Sequence, residues 1–207
     1  QEREGIVLGM TNGVMSLIGR DMAIRTRAEL PAVNLSLIEE LSAVLIDALE
    51  REQADIALAF DVHERPGLLR VPLLEDEVLL ICAPAAAPAA DPVQFADIIG
   101  MPLALPGSRD VIRRMLEETA KRLALTPNVT LDVASLGTIK RLVAQGDAAT
   151  IMPYGSAVDE IESGLLVARR IANPTLRRTL YFARSLRRAP IQNEDALIDL
   201  LGTMLNV

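Results

Sequence analysis

Short aliphatic runs alternate with amphipathic ones along the chain. Ile6, Val7 and Leu8 form the first strand-like run and lead into Met10, Thr11, Asn12 and Gly13. Val14, Leu17, Ile18, Met22 and Ile24 then mark one face of a helix that Pro31 closes. Residues 33–38 alternate apolar positions with Asn34 and Ser36, as a half-buried strand does. Leu41, Val44, Leu45, Ala48 and Leu49 fall at i, i+3, i+4, i+7 and i+8, a helical stripe. Asp55 opens a strand over 56–60. The pattern predicts β-α-β-α-β, a parallel sheet with helices on its faces.

The middle repeats this order. Residues 68–73 and 78–83 predict two strands separated by an acidic corner at Glu75, Asp76 and Glu77. An Ala/Pro connector covers 85–92, a short helix 95–99, and a strand 103–105 that Pro106 and Gly107 stop. A helix over 111–123 takes Ser108 as its candidate N-cap. Residues 129–133, 138–145, 149–152, 156–161 and 166–171 continue as strand, helix, strand, helix, strand. A strand over 177–183 precedes a final helix over 191–205, with Leu197, Leu200, Leu201 and Met204 inward. Two such segments suggest two similar lobes.

The 207 residues are 50% hydrophobic and 24% charged, enough for a substantial core. With 21 Lys+Arg against 28 Asp+Glu the net charge is -7, so the chain is expected to bind duplex DNA no better than any acidic protein. There is no Trp, which argues against a base-stacking surface. The single cysteine, Cys82, excludes an internal disulfide, and the single histidine, His63, excludes a cluster of imidazole metal ligands. The uncharged stretch 78–90 is interrupted by Pro84 and Pro88 and is too short to span a bilayer. The sequence starts at Gln1 without an initiator Met, so a trimmed start is expected, and no basic n-region or cleavage site of a secretory signal is visible in it. The expectation is a cytoplasmic piece of a longer protein.

Catalytic material is thin. His63 sits in residues 61–67, which have the composition of an exposed turn, and Cys82 reads as a small buried hydrophobe. Glu39 with Glu40, and residues 75–77, read as solvated acids rather than an acid/base pair. Gly9, Gly13 and Gly19 do not have dinucleotide-binding spacing. Three strand-to-helix turns carry hydroxyls: Thr11 with Asn12 and Gly13; Pro106, Gly107 and Ser108; and Ser135 through Thr138. In open α/β sheets ligands bind at the carboxyl ends of strands, near helix N-termini, although capping alone explains any one such turn. Between Leu165 and Asn193 there are seven arginines and no acid, which reads as a solvated strand edge or partner surface rather than a DNA site.

The order of features resembles the effector-binding domain of LysR-type bacterial transcription regulators over essentially the whole length. The carriers are residues 5–9 (GIVLG), 30–35 (LPAVNL), 41–49, 53–58 (QADIAL) and 66–73, then 142–146 (LVAQG), 151–153 (IMP) and 164–166 (GLL). Within the family, 169–171 and 176–178 look most like the nitrogen-assimilation branch. Gly146-Asp147-Ala148 departs from the Gly-x-Gly of many relatives. The resemblance implies an α/β, type II periplasmic-binding-protein-like fold, with two Rossmann-like lobes joined by two crossover strands. Lobe one would be 1–74 plus 181–207 and lobe two 75–180, the DNA-reading winged helix-turn-helix being absent from this chain. It also implies a small polar or anionic effector in the interlobe cleft. The matching contact positions are Thr11, Asn12, Gly13, Ser42, Phe60, Pro106, Gly107, Ser108, Ser135, Thr138, Pro153 and Tyr154. No catalytic residue, metal or cofactor is expected. Self-association is, as a dimer through the helix over 14–30 with its Arg20, Arg25 and Arg27, and as a tetramer in the full-length protein. The alternatives are a solute-binding protein of a transport system with the same fold, discriminated by a signal peptide upstream, and an enzyme using His63 or Asp61.

Overall fold

A computed structural model describes residues 4–207; residues 1–3, with which the lobe-one range and the reading of the chain's start begin, lie outside the described residues. The chain divides into two compact units, one taking residues up to Glu75 together with Thr179–Val207, the other Asp76–Arg178.

In the first unit, strands β1 (Glu4–Met10), β2 (Val33–Glu39) and β3 (Ile56–Phe60) pair in parallel in the order β2-β1-β3, and β11 (Arg177–Ser185) adds antiparallel to β3. All five β3 residues are buried, as a strand covered on both faces requires. Helix α3 (Ser42–Glu50) covers one face, packing Leu45, Ile46 and Leu49 with Ala57, Ala59 and Ala183. A helical run begins after β1 as α1 (Asn12–Val14), passes through a π-helical stretch (Met15–Gly19), and ends as α2 (Arg20–Glu29). It buries Val14, Ile18 and Met22, whereas Leu17 and Ile24 are about half exposed, contrary to the expected face. The π turn shifts the register on which a uniform 3.6-residue face depends.

In the second unit, the later part of β4 (Leu68–Cys82) lies antiparallel to β8 (Thr150–Pro153) and β9 (Val167–Arg169). Two parallel pairs join β6 (Leu103–Leu105) to β7 (Val129–Asp132), and β5 (Val93–Gln94) to β10 (Ile171–Ala172). Helices α4 (Phe95–Ile99) and α5 (Val111–Arg122) bury Phe95, Ile98 and Leu116 with Leu80 and Ile151, and α6 (Leu136–Ala144) buries Ile139 and Val143 with Ile81 and Met152. A short helix, α7 (Val158–Glu162), follows β8.

Four expectations change. The acidic corner at 75–77 is not a corner: β4 runs straight through it, because Asp76 pairs with the buried Arg178 at 3.1 Å. The single strand expected over 166–171 is two, since the Arg170 N–H leaves the ladder for the Asp91 carboxylate at 2.9 Å. The last helix, α8 (Glu194–Leu205), starts three residues late. The Glu4 carboxylate takes the N–H groups of Gln192 and Asn193 at 2.9 and 3.1 Å, and Glu194 takes that of Ile191. Burial pushes the Glu4 carboxyl up, but these donors outweigh it and its pKa lies below the ordinary value. Finally, the arginine run is largely structural rather than a solvated edge. Arg178 is buried, Arg169 donates to the Pro88 and Ala168 carbonyls, and Arg188 and Arg184 face Glu194 at 2.8 and 3.8 Å.

Glu194 is 3% exposed, so Arg188 is its main counter-charge. Arg188→Ala is expected to cost about 3–5 kcal/mol by stranding that carboxylate, and Arg188→Met with Glu194→Leu to recover most of the loss. Urea unfolding of both variants checks this.

Candidate functional site

Strand register brings the first unit's site positions together. Met10 pairs with Glu39 on one side and Leu58 on the other, so the turns after β1, β2 and β3 leave the same edge of the sheet. Thr11 occupies the N-cap position of the helical run, yet its side chain makes no capping bond. Its Oγ1 is buried and has no hydrogen-bond partner. A buried hydroxyl without a partner costs on the order of 1–3 kcal/mol, and Thr26 and Thr150 carry the same feature away from these turns. Capping therefore does not account for Thr11. Gly13 is buried in the first turn, and the Asn12 amide donates to Glu39 Oε2 at 3.3 Å. Ser42, at the start of α3, is buried and its Oγ accepts the Phe60 N–H at 3.0 Å. The bond ties the turn after β2 to the end of β3 and leaves the Ser42 proton to donate.

In the second unit, Pro106, Gly107 and Ser108 follow β6, and Ser135 and Thr138 follow its parallel partner β7. Leu103 also bridges Ala149 in parallel, so Pro153 and Tyr154 leave the end of β8 in the same direction. Ser108 does not cap α5. Asp110 does, accepting the N–H groups of Ile112 and Arg113 at 2.8 and 3.0 Å, because it directly precedes the first helical residue. Ser135 is a true cap, accepting the Thr138 N–H at 3.3 Å. Tyr154 is 41% exposed and its hydroxyl donates to Glu162. Arg113, which sequence reasoning missed, donates to the Pro106 carbonyl at 2.9 Å and pairs with Glu117 and Asp132. Its position three residues after the capping aspartate was the available signal.

The remaining chemistry is accounted for structurally. His63 is exposed, while Asp61 exchanges two hydrogen bonds with the Thr179 backbone. Cys82 is buried, and burial pushes its thiol up to about 11, an effect that Arg169 opposes. Among the described residues no group of three or more His, Cys, Asp and Glu is placed to hold a metal ion.

Lys140, on the helix that Ser135 caps, pairs with Glu160 of α7 at 2.6 Å. Burial raises the Glu160 carboxyl, but the hydrogen bond and charge of Lys140 outweigh it and leave the pKa below the reference 4.5. A depressed carboxyl contributes stability above its unfolded pKa and loses it as pH falls through the folded one. Lys140→Met should therefore cost about 1 kcal/mol at neutral pH and progressively less below about pH 4.5. Thermal melts across that range check it.

The family model described as the LysR substrate binding domain matches residues 1–206. The HTH-type transcriptional regulator BbuR of Bordetella bronchiseptica is 21% identical over 197 residues, covering 95% of this chain and 61% of that protein. The nitrogen assimilation regulatory protein nac of Klebsiella aerogenes is 23% identical over 205 residues, covering 99% and 67%. The chain thus spans less than two thirds of the first of these relatives. The CcmR regulatory domain of Synechocystis PCC6803, in complex with 2-PG, superposes with a TM-score of 0.86 at 15% identity, covering 98% of each chain. The effector-binding domain of QuiR in complex with shikimate gives 0.82 at 18% identity, covering 99% and 97%. The fold is the α/β, type II periplasmic-binding-protein-like one that these domains share.

Proposed function

The chain belongs to the LysR substrate-binding domain family, and from that premise we propose that it is the ligand-sensing part of a transcription regulator. It takes a small polar or anionic effector and shifts the DNA contacts of an attached reader by binding one arrangement of the protein better than another. The observation that carries this is the buried, unpartnered hydroxyl of Thr11 at the head of the helical run. In solved relatives of the same fold, CcmR holds 2-PG and QuiR holds shikimate.

Residues 1–74 with 181–207 act as lobe one and 75–180 as lobe two, a division supported by the compact units bounded at Glu75 and Arg178. Lobe one contributes Thr11, Asn12, Gly13, Ser42 and Phe60 to the effector. Lobe two contributes Pro106, Gly107, Ser108, Ser135, Thr138, Pro153 and Tyr154. The family match favours this reading over a transport protein, and the relatives are regulators rather than enzymes. DNA is reached through the winged helix-turn-helix, and the protein works in the cytoplasm. No helix among the described residues is long and apolar enough to cross a membrane. Within the family we place the chain nearest the nitrogen-assimilation regulators, on the match to nac and the arginine pairs at 169–170 and 177–178.

A ligand at a hundredfold its dissociation constant adds about 2.7 kcal/mol of stability. Thr11→Ala is expected to abolish most of that shift. Because Thr11 makes no capping bond and its buried hydroxyl has no partner, the unliganded variant should be at least as stable as wild type, whereas loss of a true cap would cost about 0.5–2 kcal/mol. A thermal-shift panel of small anions, amino acids and aromatic acids on both proteins tests this, and equal stabilisation of the two would move the site elsewhere.

Self-association follows from the helix over 14–30, which exposes Leu17 and Ile24 seven residues apart beside Arg20 and Arg27. Exposed apolar residues on one helical run suit a two-fold contact. Sedimentation at tens of micromolar should show a species of twice the 22.4 kDa chain mass, and Leu17→Glu with Ile24→Glu should return it to monomer.

A further inference from the structure

We propose that the effector presents a positively charged amino group to Glu39, so that the site selects amines and amino acids over multiply charged anions. This rests on the effector site proposed above and concerns the charge that the site accepts.

The three turns at that edge of the first unit, 9–14, 38–43 and 58–62, contain no Lys or Arg and three carboxylates, Glu39, Glu40 and Asp61. Asp61 is committed to the Thr179 N–H at 3.0 Å. Glu39 and Glu40 are exposed and form no ion pair among the described residues. Some carboxylates of the unit pair with arginines, Glu29 with Arg25, Glu50 with Arg65, Glu64 with Arg70, and Asp55 and Glu194 with Arg188. Glu39 occupies the strand position facing Met10, one residue before Thr11. Its contact is the neutral amide of Asn12 at 3.3 Å, long for a hydrogen bond to a carboxylate.

Two kinds of group therefore meet at one edge. The Thr11 hydroxyl, with its buried unpartnered oxygen, and the Ser42 proton can serve a carboxylate or hydroxyl of the ligand. The Glu39 carboxylate repels a second negative charge and attracts an ammonium. An α-amino acid carries both complementary groups on adjacent atoms. A phosphorylated acid brings more negative charge to this edge of the first unit, whose three turns carry no cationic side chain.

Calorimetric titration decides the matter, using the standard L-amino acids and putrescine, their 2-hydroxy-acid counterparts, and 2-phosphoglycolate and shikimate as anionic references. The expected result is an amino compound whose binding is lost in Thr11→Ala and whose hydroxy counterpart binds about tenfold more weakly. Glu39→Gln should weaken the amino compound about tenfold and leave the hydroxy compound unchanged or tighter. Because Glu39 is exposed, the unliganded melting temperature of Glu39→Gln should match wild type. A hydroxy acid or 2-phosphoglycolate that binds at least as tightly, through Thr11 and without penalty from Glu39, would overturn the charge selection while leaving the site in place. The absence of any Thr11-dependent binding across the set would overturn the site itself.

Discussion

A methyl group at Gly9 would sit 2.4 Å from Leu45 Cδ2, so the fully buried Leu45 of α3 packs over β1 in this position because position 9 has no side chain. That approach sets the depth at which α3 begins. Ser42, its first residue, then reaches the Phe60 N–H at 3.0 Å and joins the ends of two strands. Thr11 follows Gly9 by two residues, just past the end of the strand between them. A larger residue at 9 would push Leu45 outward and lift Ser42 from Phe60, disturbing core and candidate site together.

Charge is handled in two ways in the first unit. Where carboxylates are buried or half-buried they fasten irregular chain. Glu194 and Asp55 hold Arg188, Asp55 also takes the Val7 N–H at 2.7 Å, and Glu4 satisfies the N–H groups ahead of α8. Two of these contacts, Asp55 with Arg188 and Glu4 with the chain ahead of α8, join segments more than a hundred residues apart, and such bonds substitute for regular hydrogen bonding where the backbone leaves helix or strand. At the end of β2, Glu39 and Glu40 are exposed and form no ion pair among the described residues. The contrast lies in the partners, since acids occur at both places.

Elements whose partners are local or strictly periodic were legible in the sequence: β2 with its alternation, α3 with its stripe, and the wholly apolar β3. Features decided by distant partners were not. The acids at 75–77 read as a corner because nothing nearby in sequence announces Arg178, 102 residues away from Asp76. The break at Arg170 depends on Asp91, and the late start of α8 depends on Glu4. The π turn at Met15–Gly19 leaves Leu17 and Ile24 outside a face that uniform helical spacing would give them.

The candidate site shows the same division. Composition placed hydroxyls in three strand-to-helix turns, but a hydroxyl at such a turn has two uses, capping the helix or serving something else, and the residue type is identical for both. Geometry separates them. Ser135 spends its oxygen on the Thr138 N–H, and Asp110 rather than Ser108 does so for α5. Thr11 holds the equivalent position on the longest helical run and spends its oxygen on nothing. An extended ψ of 164° leaves it in ordinary N-cap backbone geometry, so the missing bond reflects where the side chain is held and not a distorted turn. Retaining a hydroxyl in that state disfavours the unliganded form, and a bound acceptor or donor removes the penalty. Coupling occupancy to conformation requires in addition that a ligand relieve that penalty better in one arrangement of a domain than in another.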